Sequence, residues 1–150
     1  MKEKYYITFV DTENISYDAI SGIEEIQKMY KDHKDAGVYC YGIEDSKSPN
    51  SISWKEKTEK LPRVRWVKVK GPREKDAVDE RIKLAINTIL SNPYNACIDV
   101  WIIATSDGGF LPVINKIKEQ GNNIVIGIGS SKPSEKLVKA CDDYYKYTRD

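Results

Sequence analysis

Tyr5-Tyr6-Ile7-Thr8-Phe9-Val10, followed by Asp11-Thr12-Glu13-Asn14, decides the fold. A short run that is almost wholly apolar, β-branched or aromatic reads as a strand covered on both faces, and such strands belong to parallel sheets sandwiched between helices. The run turns polar at its C-terminal end, the end at which open parallel sheets bind ligands. Val100-Trp101-Ile102-Ile103-Ala104 repeats the pattern and leads into Thr105-Ser106-Asp107.

Outward from these two runs, strands and helices alternate. A strand is predicted at 5–10, an amphipathic helix at 16–33, a strand at 37–42, a short helix at 51–60 and a strand at 64–69. A helix at 75–90 carries Val78, Ile82, Ala85, Ile86 and Ile89 on one face. A strand at 98–104, a helix at 109–120, a strand at 123–128, a helix at 134–141 and an edge strand at 143–147 follow. Ser16 and Ser134 are N-cap residues, and Gln120-Gly121 closes the fourth helix. The segment 44–50 is the most linker-like and is expected to be mobile.

This alternation predicts an α/β fold, a three-layer α/β/α sandwich around a central parallel sheet. Right-handed crossovers favour the Rossmann-like strand order 3-2-1-4-5, which makes strands 1 and 4 neighbours. Asp11 and Asp107 then stand at equivalent ends of strands about 4.8 Å apart. The helix carrying Asp79 starts at the same edge, so three acids outline an oxygen-ligand site for one divalent cation. Taken singly, Asp11 or Asp107 reads as a helix cap or loop residue, and Asp79 as a partner of its helix dipole.

The chain has 150 residues, enough for a single domain spanning 1–150. Its 24 Lys plus Arg against 23 Asp plus Glu leave a net charge of +1, so bulk charge argues neither for a polyanion partner nor against one. Cys40, Cys97 and Cys141 lack CxxC spacing and are expected to be reduced thiols without a disulfide partner. No apolar stretch approaches the roughly 20 residues that cross a bilayer. These features predict a cytoplasmic protein with no membrane partner. The tyrosines of Asp143-Tyr144-Tyr145-Lys146-Tyr147 leave open a homodimer through an edge strand.

Four segments in order resemble the NYN domains, a branch of the PIN-like superfamily of metal-dependent ribonucleases. Phe9-Val10-Asp11-Thr12-Glu13-Asn14 resembles the opening motif, and Lys75-Asp76-Ala77-Val78-Asp79 the start of the acidic helix. Thr105-Ser106-Asp107-Gly108-Gly109-Phe110-Leu111-Pro112 resembles the segment after strand 4. Gly127-Ile128-Gly129, with Ser134, Leu137 and Ala140-Cys141-Asp142, resembles the closing segment. The resemblance implies a metal-dependent endoribonuclease with Asp11, Asn14, Asp79 and Asp107 as catalytic residues, Thr105 and Ser106 in support, and Asp11, Asp79 and Asp107 on the metal. Two usual acids are missing: the family's further Asp after position 107 is Gly109 here, and its later helix Asp is Ala85.

Mg²⁺ and Mn²⁺ take oxygen ligands, and Mg²⁺ often uses only one or two carboxylates, so the reduced set suffices for one ion. Asn14 is expected to orient Asp11, while Glu13, Asp76 and Glu80 are candidate substitutes for the missing acids. Local charge is more telling than net charge, because the segment 55–75 is rich in Lys and Arg. Arg65, Lys68, Lys70, Arg73 and Lys75 are candidate RNA-phosphate contacts, with an ordinary solvated face as the plain alternative. Trp54 is a candidate for stacking on a base, Trp66 is expected in the core, and His33 is expected to be a solvated surface residue. A second reading is a degenerate member that binds RNA or a protein without cutting. A third, a domain for a small phosphorylated ligand, lacks a Gly-rich fingerprint after the first strand.

Overall fold

Six parallel strands form one sheet in the order β3-β2-β1-β4-β5-β6. The structure, a computed structural model, describes residues 3–70, 77–130 and 132–147. The strands are β1 (Tyr5–Asp11), β2 (Lys34–Ile43), β3 (Val64–Val69), β4 (Ile98–Ala104), β5 (Ile124–Gly129) and β6 (Asp143–Lys146). The helices between them are α1 (Ile20–Met29), α2 (Pro49–Thr58), α3 (Ala77–Leu90), α4 (Leu111–Glu119) and α5 (Glu135–Ala140). The expected order of the first five strands is the order found, and β6 extends the sheet beyond β5.

Side chains alternate across the central strands and so divide the apolar residues into two layers. Phe9, Trp101 and Ile103 pack on one face with Ile82 and Ile86 of α3, Ile114 and Ile117 of α4, and Leu137 of α5. Val10, Ile102 and Ile126 pack on the other with Ile23 and Ile26 of α1 and Trp54 of α2. Both faces are covered, which is why the strands read as apolar throughout. Truncating a wholly buried member such as Ile82 to Ala would cost about 2–5 kcal/mol.

Several local expectations need correction. The first helix is shorter than 16–33: a 3-10 turn at Tyr17–Ala19 precedes α1, which ends at Met29. β2 begins at Lys34 rather than 37, and its register against β1 shifts between Tyr6 and Thr8. Gly37 allows the irregularity, because its φ of +117° lies where side-chain-bearing residues are strained, and its N–H donates to Asp35 Oδ1 at 2.8 Å. His33 is no solvated residue: its Nε2 lies 3.0 Å from Asp99 Oδ1, beneath the N-terminal ends of the strands.

Trp54 is wholly buried, donates through Nε1 to the Ile15 carbonyl at 2.7 Å and meets Tyr17 edge-on at 5.0 Å. It belongs to the core and offers no face to a base. Segment 44–50 is held to the loop after β1, since Ser46 Oγ donates to Glu13 Oε1 at 2.9 Å and Ser48 Oγ to the Glu13 carbonyl at 3.5 Å. Cys40, Cys97 and Cys141 are free thiols. Among the described residues, no helix is long and apolar enough to cross a membrane.

Candidate active site

β1 and β4 lie side by side, with Val10 level with Ala104, so the loops after them open at one edge of the sheet. The first loop begins at Asp11, which is 1 % exposed. Its Oδ1 accepts from the Glu13 N–H at 3.1 Å, and its Oδ2 accepts from the Asn14 side-chain amide at 2.8 Å. Asn14 thus orients Asp11. Thr12, wholly buried, donates to the Tyr41 carbonyl at 2.9 Å and lies 3.0 Å from Ser51 Oγ, fastening the loop to β2 and α2.

The second loop carries Asp107, the N-cap of a 3-10 turn at Gly108–Phe110 that leads into α4. Its Oδ1 accepts from the Gly109 N–H at 2.8 Å, and its own N–H donates to Thr105 Oγ1 at 3.2 Å. Ser106 faces β5 and β6 instead: Oγ accepts from the Ser130 N–H at 2.9 Å and lies 3.4 Å from the Tyr144 hydroxyl. Thr105 and Ser106 therefore shape the loop.

Asp79, in the first turn of α3 and 3 % exposed, joins the two. Its carboxyl is in hydrogen-bonding contact with those of Asp11 and Asp107. Burial, followed by these contacts and the charges of Asp107 and Asp11, pushes its pKa to about 9. Burial also raises that of Asp11, against hydrogen bonds from Asn14, from Asp79 and from the Glu13 and Asn14 backbone. Two carboxyls in contact must share a proton, because like charges that close cannot both be ionised in a buried setting. Asp79 Oδ1 is buried, and no N–H or hydroxyl among the described residues donates to it.

This donor set suits a hard divalent cation: all ligands are oxygens, and one buried oxygen lacks a partner. Among the described residues, no group of three or more His, Cys, Asp or Glu side chains is already set out to hold an ion. For Asp11 and Asp79 to become ligands, a cation would have to displace the proton they share.

The proposed substitutes for the missing acids do not gather here. Glu13 turns to Ser46, with its Oε2 buried and unpartnered. Glu80 is exposed and pairs with Lys83 at 3.3 Å. Asp76 lies outside the described residues. Ala85 packs against the α3-side core, so that position faces apolar side chains.

Of the five proposed RNA contacts, Arg73 and Lys75 lie outside the described residues. Lys68 and Lys70 are exposed at the C-terminal end of β3, whereas Arg65 is level with Tyr39 and so with Phe9, set back from Asp11. Lys68 and Lys55 line a cavity of about 450 Å³ with Gly42, Ser51 and Trp66. Ser51 links that cavity to Thr12 and so to the acidic edge. Sequence reading missed Lys83, one turn after Asp79. Its spacing was the available signal, because residues four apart share a helix face.

A parallel sheet of this order with three carboxyls at one edge defines an α/β domain of PIN-like type. The NYN domain model matches residues 6–148, nearly the whole chain, and the chain belongs to the NYN domain family of the PIN-like superfamily. The crystal structure of a protein of unknown function from Vibrio parahaemolyticus is similar, with a TM-score of 0.70 and 18 % identity over 99 % of this chain and 97 % of that one. That likeness concerns the fold. No curated protein matches this chain.

Proposed function

We propose that this chain is a divalent-metal-dependent endoribonuclease whose acidic set is Asp11, Asp79 and Asp107. The observation that carries the reading is the contact of Asp79 with both other carboxyls, brought together from β1, α3 and the loop after β4. Burying Asp11 and Asp79, with the exposed Asp107 against Asp79, serves no packing purpose and is typical of functional sites.

Asp11, Asp79 and Asp107 would hold Mg²⁺ or Mn²⁺, which when bound supplies positive charge to a phosphodiester and makes a water easier to deprotonate. Asn14 keeps Asp11 oriented, and Thr105 holds the backbone of Asp107. Lys68 and Lys70, with Arg73 and Lys75, attract the RNA backbone without reading its sequence. The domain covers residues 1–150.

The test is incubation of labelled single-stranded RNA with the protein in Mn²⁺, Mg²⁺ or EDTA, beside Asp11→Asn and Gly109→Asp. Metal-dependent cutting that Asp11→Asn abolishes supports the reading. An inactive wild type overturns it. Gly109, which supplies no carboxylate, favours a second reading, an RNA-binding module without turnover. Retained RNA binding without cutting, and cutting restored in Gly109→Asp, would select it.

A further inference from the structure

Lys83 brings an ammonium to the acidic edge that the three carboxyls do not require for their own pairing. On α3 it lies one turn beyond Asp79, so its side chain rises on the same side of the helix. A Cβ placed on Gly109 would stand 3.4 Å from Lys83 Nζ and 3.3 Å from Asp107 Oδ1. Such a Cβ would be in tight contact with both, so at the bare glycine an ammonium and a site carboxyl flank one point.

Lys83 is only partly exposed, and its ammonium pairs with Glu80 at 3.3 Å. Nζ lies 5.5 Å from the centre of the Phe110 ring, and its ion-pair partner Glu80 is 70 % exposed. Exposed pairs of this kind contribute little and exchange readily. The Phe110 ring over which the ammonium sits is wholly buried.

We propose that Lys83 is a substrate-contacting residue whose ammonium binds a phosphoryl oxygen of the RNA at the acidic edge beside Gly109. This rests on the nuclease reading of the same edge. Hydrolysis joins a water oxygen to phosphorus and breaks one P–O bond to ribose. One proton leaves the water and one reaches the departing oxygen, so Lys83 transfers no proton in the net reaction. Its contribution is a fixed charge that meets the negative charge developing on the phosphoryl group.

The test measures binding of a short single-stranded RNA with Ca²⁺ as the divalent ion over a range of salt, and cleavage in Mg²⁺, for wild type, Lys83→Gln and Lys83→Arg. Circular dichroism confirms that each variant is folded. Lys83→Gln should weaken binding about tenfold and lower the slope of log K against log salt by about one phosphate contact, with Lys83→Arg close to wild type. In cleavage, Lys83→Gln should lower kcat about 100-fold, much more than it changes KM. A wild type that binds no RNA, an unchanged salt slope in Lys83→Gln, or equal losses in Lys83→Gln and Lys83→Arg would overturn the proposal. A wild type that binds with the predicted Lys83 dependence but cuts nothing would leave the phosphate contact in place and defeat the nuclease reading instead.

Discussion

Asp79 shares hydrogen-bonding contact with Asp11 across the junction of α3 and β1, an arrangement two carboxyls hold only with a proton between them. Where no cation is bound, the site would therefore hold a protonated acid. Stability should depend on pH in the sense opposite to that of an ordinary salt-bridged carboxylate.

The sign follows from where Asp79 releases its proton: near 3.8 when unfolded and near 9 when folded. Its contribution is fully present below about 3.8 and is lost as pH rises towards 9, with a limiting slope of about 1.4 kcal/mol per pH unit. In EDTA, the Tm of wild type should fall over this range more steeply than that of Asp79→Asn. Parallel curves for the two proteins would contradict the shared proton.

Adding the cation should reverse the trend. Mn²⁺ at about 100 times its Kd would stabilise the wild type by about 2.7 kcal/mol near neutral pH. Binding should also release protons, which calorimetry in buffers of different ionisation enthalpy would detect. Asp11→Asn should lose most of this stabilisation, and an equal rise in its Tm would remove Asp11 from the ligand set.

Asn14→Ala removes the donor to Asp11 Oδ2 and leaves the backbone donor from Glu13 to Oδ1. The carboxylate remains but loses its orientation, so metal affinity should drop about 10- to 100-fold, the usual effect of removing a ligand's supporting hydrogen bond. Stability should fall by about 1 kcal/mol. Mn²⁺ titration and thermal unfolding of the same samples measure the two effects separately.

Trp54→Phe should cost stability and leave RNA binding alone. It deletes the indole donor to the Ile15 carbonyl and part of the α2-side core, for about 1–3 kcal/mol by urea unfolding. RNA affinity within twofold of wild type is expected from an indole that is wholly buried. A large loss of affinity in a protein that remains folded would restore Trp54 as a stacking residue.

The sheet was readable because its information is local: each central strand is apolar along its length and polar just beyond its C-terminal end. Once β1 and β4 were neighbours, the juxtaposition of Asp11 and Asp107 followed from strand spacing. The details that escaped depend on partners distant in sequence. Asp99 answers His33, and the Ile15 carbonyl answers Trp54; neither pairing leaves a periodic mark. The early start of β2 was hidden because Lys34 and Asp35 carry charge into an edge of the sheet and Gly37 interrupts the pattern. Lys83 escaped because an ammonium on an amphipathic helix resembles any solvated lysine until Gly109 is seen beside it.

β6 bears on both loops of the acidic edge. Tyr147, just after it, accepts the Ser16 N–H at 3.0 Å, while Tyr144 donates to the Thr105 carbonyl at 2.6 Å. Gly129 lets Tyr144 through, since a Cβ there would collide with the tyrosine hydroxyl and with Ser106. The ribosome makes these two tyrosines after every acid they help to hold. A nascent chain would thus carry its carboxyls on loops fastened only in part, Thr12 to β2 and α2, and the last ties would form only when residues 144–147 had emerged and docked.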